Sequence, residues 1–419
     1  MRVFLFSLGC RVNQSEMEGL ASELERAGMT IVPSPEEADV IVLNTCAVTA
    51  EAERKSRQYI RRFRRLLNPG AKLVALGCYV QLVRERVLDL GADMAFGNSR
   101  KRELLKFLKF GEDKRVFLNP RPERGDFFST SGKLYYHSRA FIKVQDGCDA
   151  NCSYCLIRTL RGKSVSRPIR DIVSEARELV LKGYDEITIV GIHLGSYGRD
   201  LGVSLGKLIE ELLKLEGLRL LRLGSVEPFD LGKDFIKLYE RFDKLAPHLH
   251  LPLQSGSNRI LSLMRRPYTF ERYLELVEKL REIREDFNIT TDIMIGFPGE
   301  SEKDFNKTVE AVEKIRFGRI HIFRYSSRPF TEASKKPRPP SSIVEKRLEV
   351  LREVALRSAL SFNKSIVGKT FDALYLGGKR ALLPNYVEAE LSEEAEERWV
   401  KVKVEKASPR RVFARVLSR

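Results

Sequence analysis

The sequence predicts an α/β protein in three parts: an N-terminal parallel doubly wound domain, a central incomplete (β/α)6 barrel and a small C-terminal β-barrel. Three observations predict it. Apolar runs that are continuous rather than alternating recur between helical stretches, the mark of parallel strands covered on both faces. The alternation lapses over 111–138 and then restarts, which separates two α/β parts. From 366 onward the pattern changes to short β-rich runs ending in a strongly basic segment. A length of 419 residues is too great for one ordinary core and fits about two to three domains.

Within 1–110, VFLFSL, DVIVLN, KLVALG and DMAFG read as strands, and 14–28, 50–66, 79–90 and 99–109 as the helices that follow them. Residues 111–138 carry Pro, Gly, Ser and charge without long periodicity, and read as a linker with room for a hairpin. Over 139–340, AFIKVQ, EITIVG, LRLLRLGSV, HLHLPL, NITTDIMIGFP and RIHIFRYS each precede a helical stretch. Six such units make an incomplete barrel, whose functional groups belong at the C-terminal ends of its strands. PRPPSS (337–342) breaks the chain, 341–365 is a charged amphipathic connecting helix, and 366–419 is a small β-barrel of a kind that often binds nucleic acid.

The sequence holds 74 Lys plus Arg against 57 Asp plus Glu, a net charge of +17. Such a surplus favours a polyanionic partner, nucleic acid first, because phosphate neutralisation releases counterions. A Lys/Glu-rich surface of a heat-adapted protein is the alternative. No apolar run of about 18 residues and no signal-peptide pattern occurs, so a cytoplasmic place and no membrane contact are expected. For six cysteines in such a protein, thiolate ligands or catalytic thiols are a better reading than a disulfide framework.

Cys148, Cys152 and Cys155 stand at C-x3-C-x2-C spacing directly after the first barrel strand. A closed zinc site uses four ligands, and no fourth Cys or His lies at paired spacing; His137 is well upstream. An iron-sulfur cluster on three thiolates keeps one iron open to a non-protein ligand. Cys10, Cys46 and Cys78 each end an apolar strand of the N-terminal part, where a parallel sheet gathers its ligand-binding edge. Either they converge on one site or they are separate buried cysteines.

C-x3-C-x2-C with Tyr154 before the third cysteine resembles the radical S-adenosylmethionine (SAM) superfamily. The resemblance implies a 4Fe-4S cluster whose open iron chelates SAM, and reductive cleavage of SAM to a 5′-deoxyadenosyl radical. It extends through GIHLGSYG (191–198), GSVEP (224–228), HLPLQSGS (250–257) and TTDIMIGFPGE (290–300), which makes Gly191, Ser225, Glu227, Gln254 and Asp292, with Tyr154, candidates for SAM or substrate contact. Each is equally readable as a cap or turn residue, and His193, His248, His250 and His321 read as satisfied core histidines.

SLGCRVNQSE, LNTCAVTAEAERKSR and ALGCYVQ are similar to the N-terminal motifs of the methylthiotransferases, a radical SAM branch with a second 4Fe-4S cluster, here on Cys10, Cys46 and Cys78. GC[KR]VNQ-x-E is most like the branch acting on N6-threonylcarbamoyladenosine next to the tRNA anticodon, where a methylthio group is added at C2. Isopentenyladenosine in tRNA and a ribosomal protein are the substrates of sister branches. The resemblance implies cluster-based catalysis with no single catalytic side chain, an electron donor such as a flavodoxin or ferredoxin, and a sulfur source. It also implies that 366–419 is a TRAM-like RNA-binding barrel. Phe330 departs from it, standing where relatives commonly have glycine.

RKSRQYIRRFRR (54–65) places Arg57, Arg61 and Arg64 on one helix, with Tyr59 and Phe63 between them, and KASPRRVFARVLSR places Arg410 and Arg411 near the end. These arginines are the candidate RNA contacts; the aromatics suit either base stacking or the core. A non-catalytic iron-sulfur RNA-binding protein is the competing class. It leaves the strand-end motifs unexplained.

Overall fold

Continuous apolar strands are stable where both faces are covered, and the N-terminal sheet is built so. It comprises β1 (Arg2–Ser7), β2 (Thr30–Ile31), β3 (Val40–Thr45), β4 (Lys72–Gly77), β5 (Met94–Phe96) and β6 (Val116–Phe117), all parallel, in the order β2-β1-β3-β4-β5-β6. Every position of β3 is buried. Helices α1 (Arg11–Arg26), α2 (Ala50–Leu66), α3 (Cys78–Val83) and α4 (Glu103–Phe110) intervene, and separate apolar clusters form around Met17, Leu20 and Phe96 and around Ile41, Ile60 and Phe63. The protein is a computed structural model that describes residues 1–110, 116–118, 127–130, 134 and 139–417. Strand β6 lies within the stretch that reads as a linker; two residues are too few to show a pattern. The hairpin expected there falls mostly outside the described residues, as does His137.

The chain divides into two compact units, Met1–Asn151 with Cys155–Leu218 and Ser326–Thr331, and Cys152–Tyr154 with Arg219–Tyr325 and Glu332–Arg419. Beyond the N-terminal sheet, the first unit contains β7 (Ala140–Asp146), α5 (Ile157–Arg161), β8 (Val165–Ser166), α6 (Ile169–Leu181), β9 (Glu186–Gly191) and α7 (Leu205–Leu213). Fully buried β7 pairs in parallel with β9 and antiparallel with β8, a short strand the periodicity did not announce.

The second unit holds the other four strands expected for the central barrel, β10 (Leu220–Leu223), β11 (His248–His250), β12 (Asn288–Ile295) and β13 (Arg319–Arg324). They alternate with α8 (Lys233–Arg241), α9 (Asn258–Leu263), α10 (Phe270–Ile283) and α11 (Glu302–Ile315). Strands β11, β12 and β13 form a parallel sheet, and parallel bridges Leu221–Leu245 and Ser225–His250 join the β10 segment to it. Helix α12 (Ser341–Ser365) leads to the closed barrel β14-β15-β16-β18-β17, made of β14 (Thr370–Gly377), β15 (Arg380–Leu382), β16 (Glu388–Leu391), β17 (Trp399–Ala407) and β18 (Val412–Val416). Helix α12 is more than a spacer: Phe362 belongs to the core of that barrel, which Arg222 also grips through the Pro384 carbonyl (2.6 Å).

Candidate metal centres and nucleic-acid surface

Neighbouring parallel strands carry their following loops to one edge of a sheet. Ser7 of β1 lies opposite Asn44 of β3, and Thr45 of β3 opposite Gly77 of β4. Cys10 precedes α1, Cys46 follows β3 and Cys78 opens α3, so the three thiols meet at that edge. Gly9, at φ +94°, permits the approach: a Cβ there would stand 2.8 Å from the Cys46 Sγ. Asn98 Nδ2 donates to the Cys78 Sγ (3.4 Å). Burial, then the charges of Cys78 and Cys10, pushes the Cys46 thiol up to about 12. Three thiols this close repel one another as thiolates unless a cation or cluster joins them.

Beside them lies a buried ionic network. Glu16 binds Lys101, Lys143 Nζ (2.7 Å) and Arg161 Nη1 (3.0 Å); Asp146 binds Lys143 (2.6 Å) and Arg161 (2.9 Å). Arg161 Nη2 also donates to Asn13 Oδ1 (2.6 Å), and Asn13 Nδ2 donates to the Leu8 and Thr45 carbonyls beside Cys10 and Cys46. Arg328 pairs with Glu53 of α2, and Ser326 Oγ accepts from the Ala50 N–H (2.9 Å). The Ser326–Thr331 segment is thereby fastened to the N-terminus of α2, just past Cys46.

The loop Gly147–Leu156 carries the other three cysteines. Gly147 has φ +70°, and a Cβ would lie 1.9 Å from the Lys163 carbonyl. All three thiols are partly accessible, and each has a nitrogen near its sulfur: His193 Nδ1 to Cys148 Sγ at 3.4 Å, Arg266 Nη1 to Cys152 Sγ at 3.5 Å and the Ile157 N–H to Cys155 Sγ at 3.5 Å. N–H donors to sulfur stabilise thiolates and clusters, so the residues fit a thiolate-held group. Among the described residues no three His, Cys, Asp or Glu side chains stand at the spacing of a single-ion site; a cubane cluster separates its thiolates, one to each iron.

Gly191 ends β9, where a Cβ would meet Gln145 Oε1 at 2.9 Å. In the second unit, Glu227 takes both arms of buried Arg266, and Tyr154 packs edge-on against Phe297 (6.3 Å). Ser225 is exposed at a strand end, and Asp292 accepts from His250 Nε2 (3.2 Å), which makes a polar set with His321, 5.8 Å from the His250 ring. Gln254 is held at φ +65° by bonds to either side of Ile293 on β12, a left-handed conformation rare for a non-glycine residue. The histidine reading needs correction: His248 is a satisfied core residue, bonded to Thr290 (3.0 Å) and stacked on Tyr386, but His321 is exposed and His193 faces a cysteine. Arg266, Arg161 and Arg328 were missed. None of them stands in a periodic pattern, and their acidic partners lie 15 residues away for Asp146, 39 for Glu227 and 275 for Glu53.

Of the basic helix, Phe63 is core, in edge contact with Phe4 and Phe6, and Tyr59 stacks on Phe6 (4.7 Å), so the aromatics are not a base-stacking platform. Arg57 pairs with Glu53 (3.5 Å) and Arg64 with Asp93 (3.0 Å), whereas exposed Arg61 has no acidic partner among the described residues. Arg410 and Arg411 line a groove of about 580 Å3 with Arg319 of β13 and Arg352 of α12, and Arg411 also reaches Glu390 (3.0 Å).

The description "Uncharacterized protein family UPF0004" matches residues 2–97, and the Radical SAM superfamily matches 142–312. The chain is 40% identical to the threonylcarbamoyladenosine tRNA methylthiotransferase MtaB of Thermotoga maritima over 87% of its own length and 84% of the relative's, and 40% identical to MtaB of Aquifex aeolicus over 93% and 96%. To the tRNA-2-methylthio-N(6)-dimethylallyladenosine synthase of Thermotoga petrophila it is 36% identical over 88% and 85%. Among solved structures, the radical SAM methyltransferase TsrM of Kitasatospora setae shares the fold, with TM-score 0.62 at 15% identity over 80% of this chain and 75% of that one. The thiol edge of the N-terminal sheet, the cysteine loop after β7 and these relatives agree: the chain is an enzyme of the radical SAM tRNA methylthiotransferase family.

Proposed function

We propose that the enzyme adds a methylthio group to C2 of N6-threonylcarbamoyladenosine next to the anticodon of tRNA. Two thiol triads, each furnished with groups that stabilise anionic sulfur, support this reading. Cys148, Cys152 and Cys155 would hold one 4Fe-4S cluster, and Cys10, Cys46 and Cys78 a second. When bound, the first cluster and SAM supply a radical able to take hydrogen from C2, and the second supplies the sulfur that a methyl group of another SAM then caps. The chain's own residues bind and orient. His193, Arg266 and the Ile157 amide fix the sulfurs of the cysteine loop; Ser225, Glu227, Gln254 and Asp292 offer strand-end polar groups to SAM or substrate. Tyr154 adds an aromatic edge packed on Phe297, and Gly191, at the end of β9 in the first unit, is a further candidate for SAM contact. Arg57, Arg61 and Arg64, with Arg410 and Arg411, meet RNA phosphates. A reductant such as a flavodoxin or ferredoxin and a sulfur source complete the system, in the cytoplasm; no helix among the described residues is long and apolar enough to cross a membrane.

The dimethylallyladenosine reading has its own support in relatives at 36% identity. Nucleoside mass spectrometry of tRNA from a deletion strain separates the two: loss of the methylthio form of threonylcarbamoyladenosine supports the proposal, and loss of only the dimethylallyl form refutes it. Anaerobically reconstituted protein tests the clusters. Replacing Cys148, Cys152 and Cys155 by Ala should leave roughly half the iron, whereas Cys10→Ala, Cys46→Ala or Cys78→Ala should abolish methylthiolation and spare 5′-deoxyadenosine formation. Complete iron loss in the first variant contradicts two independent sites.

A further inference from the structure

We propose that Arg161 and Arg328 are positioning residues of the second cluster, two buried guanidiniums that balance its negative charge, donate N–H groups to its sulfurs and raise its reduction potential. The inference rests on the reading that Cys10, Cys46 and Cys78 hold that cluster. Both side chains are almost wholly buried, Arg161 at 1% exposure and Arg328 at 4%. In both, the Nε is buried with no hydrogen-bond partner among the described residues, although Arg161 engages carboxylates and Asn13 through its terminal nitrogens and Arg328 engages Glu53. An unsatisfied buried N–H is destabilising, and two beside one triad call for a shared acceptor.

The thiols are the groups at hand. Asn13 accepts from Arg161 Nη2 (2.6 Å) and donates to the Leu8 and Thr45 carbonyls next to Cys10 and Cys46, Asn98 joins the Leu160 carbonyl to the Cys78 Sγ, and Glu53, which holds Arg328, lies at the start of α2 just past Cys46. Charge balance points the same way. In the network behind the triad, the three cations Lys101, Lys143 and Arg161 are ion-paired, among the described residues, with two carboxylates, Glu16 and Asp146. A buried surplus of positive charge is costly unless an anion adjoins it, and a cubane on three thiolates is an anion. Arg328 is delivered by a segment whose backbone is strained: Phe330, two residues on, sits at φ +65°. Strain of this kind persists where the surroundings hold it in place; here the Thr331 Oγ1 bond to the Arg328 carbonyl (2.8 Å) and the Ser326–Ala50 bond do so. Because reduction adds one negative charge to the cluster, a fixed cation and N–H donors beside it favour the reduced form.

The test uses the full-length chain with Cys148, Cys152 and Cys155 replaced by Ala, so that any cluster reconstituted from iron and sulfide sits on the other triad. Iron content and midpoint potential are measured for this parent and for it carrying Arg328→Gln, Arg328→Lys or Arg161→Lys. The expected result is a parent with a cluster, and an Arg328→Gln midpoint displaced downward by at least a tenfold change in the oxidised-to-reduced ratio at fixed potential, about 59 mV for a one-electron couple. Arg328→Lys should recover more than half of that shift, and Arg161→Lys, which keeps the charge but loses the Nε donor, should shift the ratio the same way by at least about threefold. A residue with a merely structural role alters iron content and leaves the midpoint of the remaining cluster in place. That result in Arg328→Gln, or an unmoved midpoint in Arg161→Lys, overturns the corresponding assignment. Should Arg328→Gln bind no iron, Arg328→Lys decides: iron retained supports the charge role, iron lost in both overturns it. A parent without iron refutes the second cluster itself, and with it this inference.

Discussion

Glu16→Gln is the most exacting perturbation of the ionic network. Its carboxylate is inaccessible and meets three cations, Lys101, Lys143 and Arg161. Burial alone would raise its pKa, but Arg161, Lys101 and Lys143 outweigh that and hold it well below the ordinary value of 4.5. Gln preserves the shape and removes the charge, which leaves Asp146 alone against three buried cations. Removing one partner of a buried ion pair costs about 3–5 kcal/mol, a large part of the roughly 5–15 kcal/mol that holds a domain folded. At about 2–4 °C per kcal/mol for a unit of this size, the melting temperature should fall by about 6–20 °C. Urea unfolding of the first unit should show a lower midpoint with an unchanged slope. The pH dependence has a definite sign. A carboxylate with a depressed folded pKa contributes stability above its unfolded value and loses that contribution as pH falls through the folded one. Acidification below about pH 4.5 should therefore destabilise the wild type more steeply than Glu16→Gln. An unchanged urea midpoint at neutral pH, or identical acid profiles, would refute the role given to Glu16.

The basic face of α2 and the strained turn offer two further tests. Arg61→Ala should weaken tRNA binding and reduce the salt slope by about one unit, and Arg57→Ala and Arg64→Ala should do less, since Glu53 and Asp93 already engage those side chains; equal slopes in all variants would place the RNA elsewhere, with Arg410 and Arg411 next in line. Phe330→Gly relieves left-handed strain of about 1–2 kcal/mol against a backbone-entropy cost of about 0.5–1 kcal/mol, and an 82% exposed ring forfeits little burial. Thermal melts should show stability unchanged or slightly raised, and a loss above about 1 kcal/mol would mean that the ring packs on something.

What the sequence made legible was local. Strands β1, β3, β4 and β5, and the six parallel strands expected for the central barrel, are runs of several apolar residues whose period declares them, and the closed C-terminal barrel shows as alternation, as in WVKVKVEKA, where alternate residues are buried. Both cysteine triads could be located in the sequence because Cys10, Cys46 and Cys78 each follow the end of such a strand and one loop after β7 carries Cys148, Cys152 and Cys155. Strands β2, β6 and β8, at two residues each, carry too little pattern to be read. The aromatics of α2 were ambiguous for a related reason: spacing places Tyr59 and Phe63 on one face of the helix, but only the packing of Phe4 and Phe6 shows that this face is the buried one.

Charge was the least legible property, because an arginine in a sequence does not say whether it faces water, phosphate or sulfur. The surplus of +17 reads naturally as a surface for polyanions, and Arg61, Arg410 and Arg411 are exposed as that reading requires. Arg161, Arg266 and Arg328 carry the same formal charge into the interior. A guanidinium stays protonated when buried, and its planar set of N–H donors can serve a carboxylate and a sulfur together. Arg266 does so between Glu227 and Cys152. Burial presses Lys101 toward its neutral form despite the attraction of Glu16, whereas Asp146 and Glu16 together hold Lys143 in its charged form, so a buried lysine keeps its charge where enough anionic neighbours meet it. Because arginine's planar donors can serve a carboxylate and a sulfur together, part of the basic character of this chain lies in its interior, beside its cysteines, rather than on its exposed face.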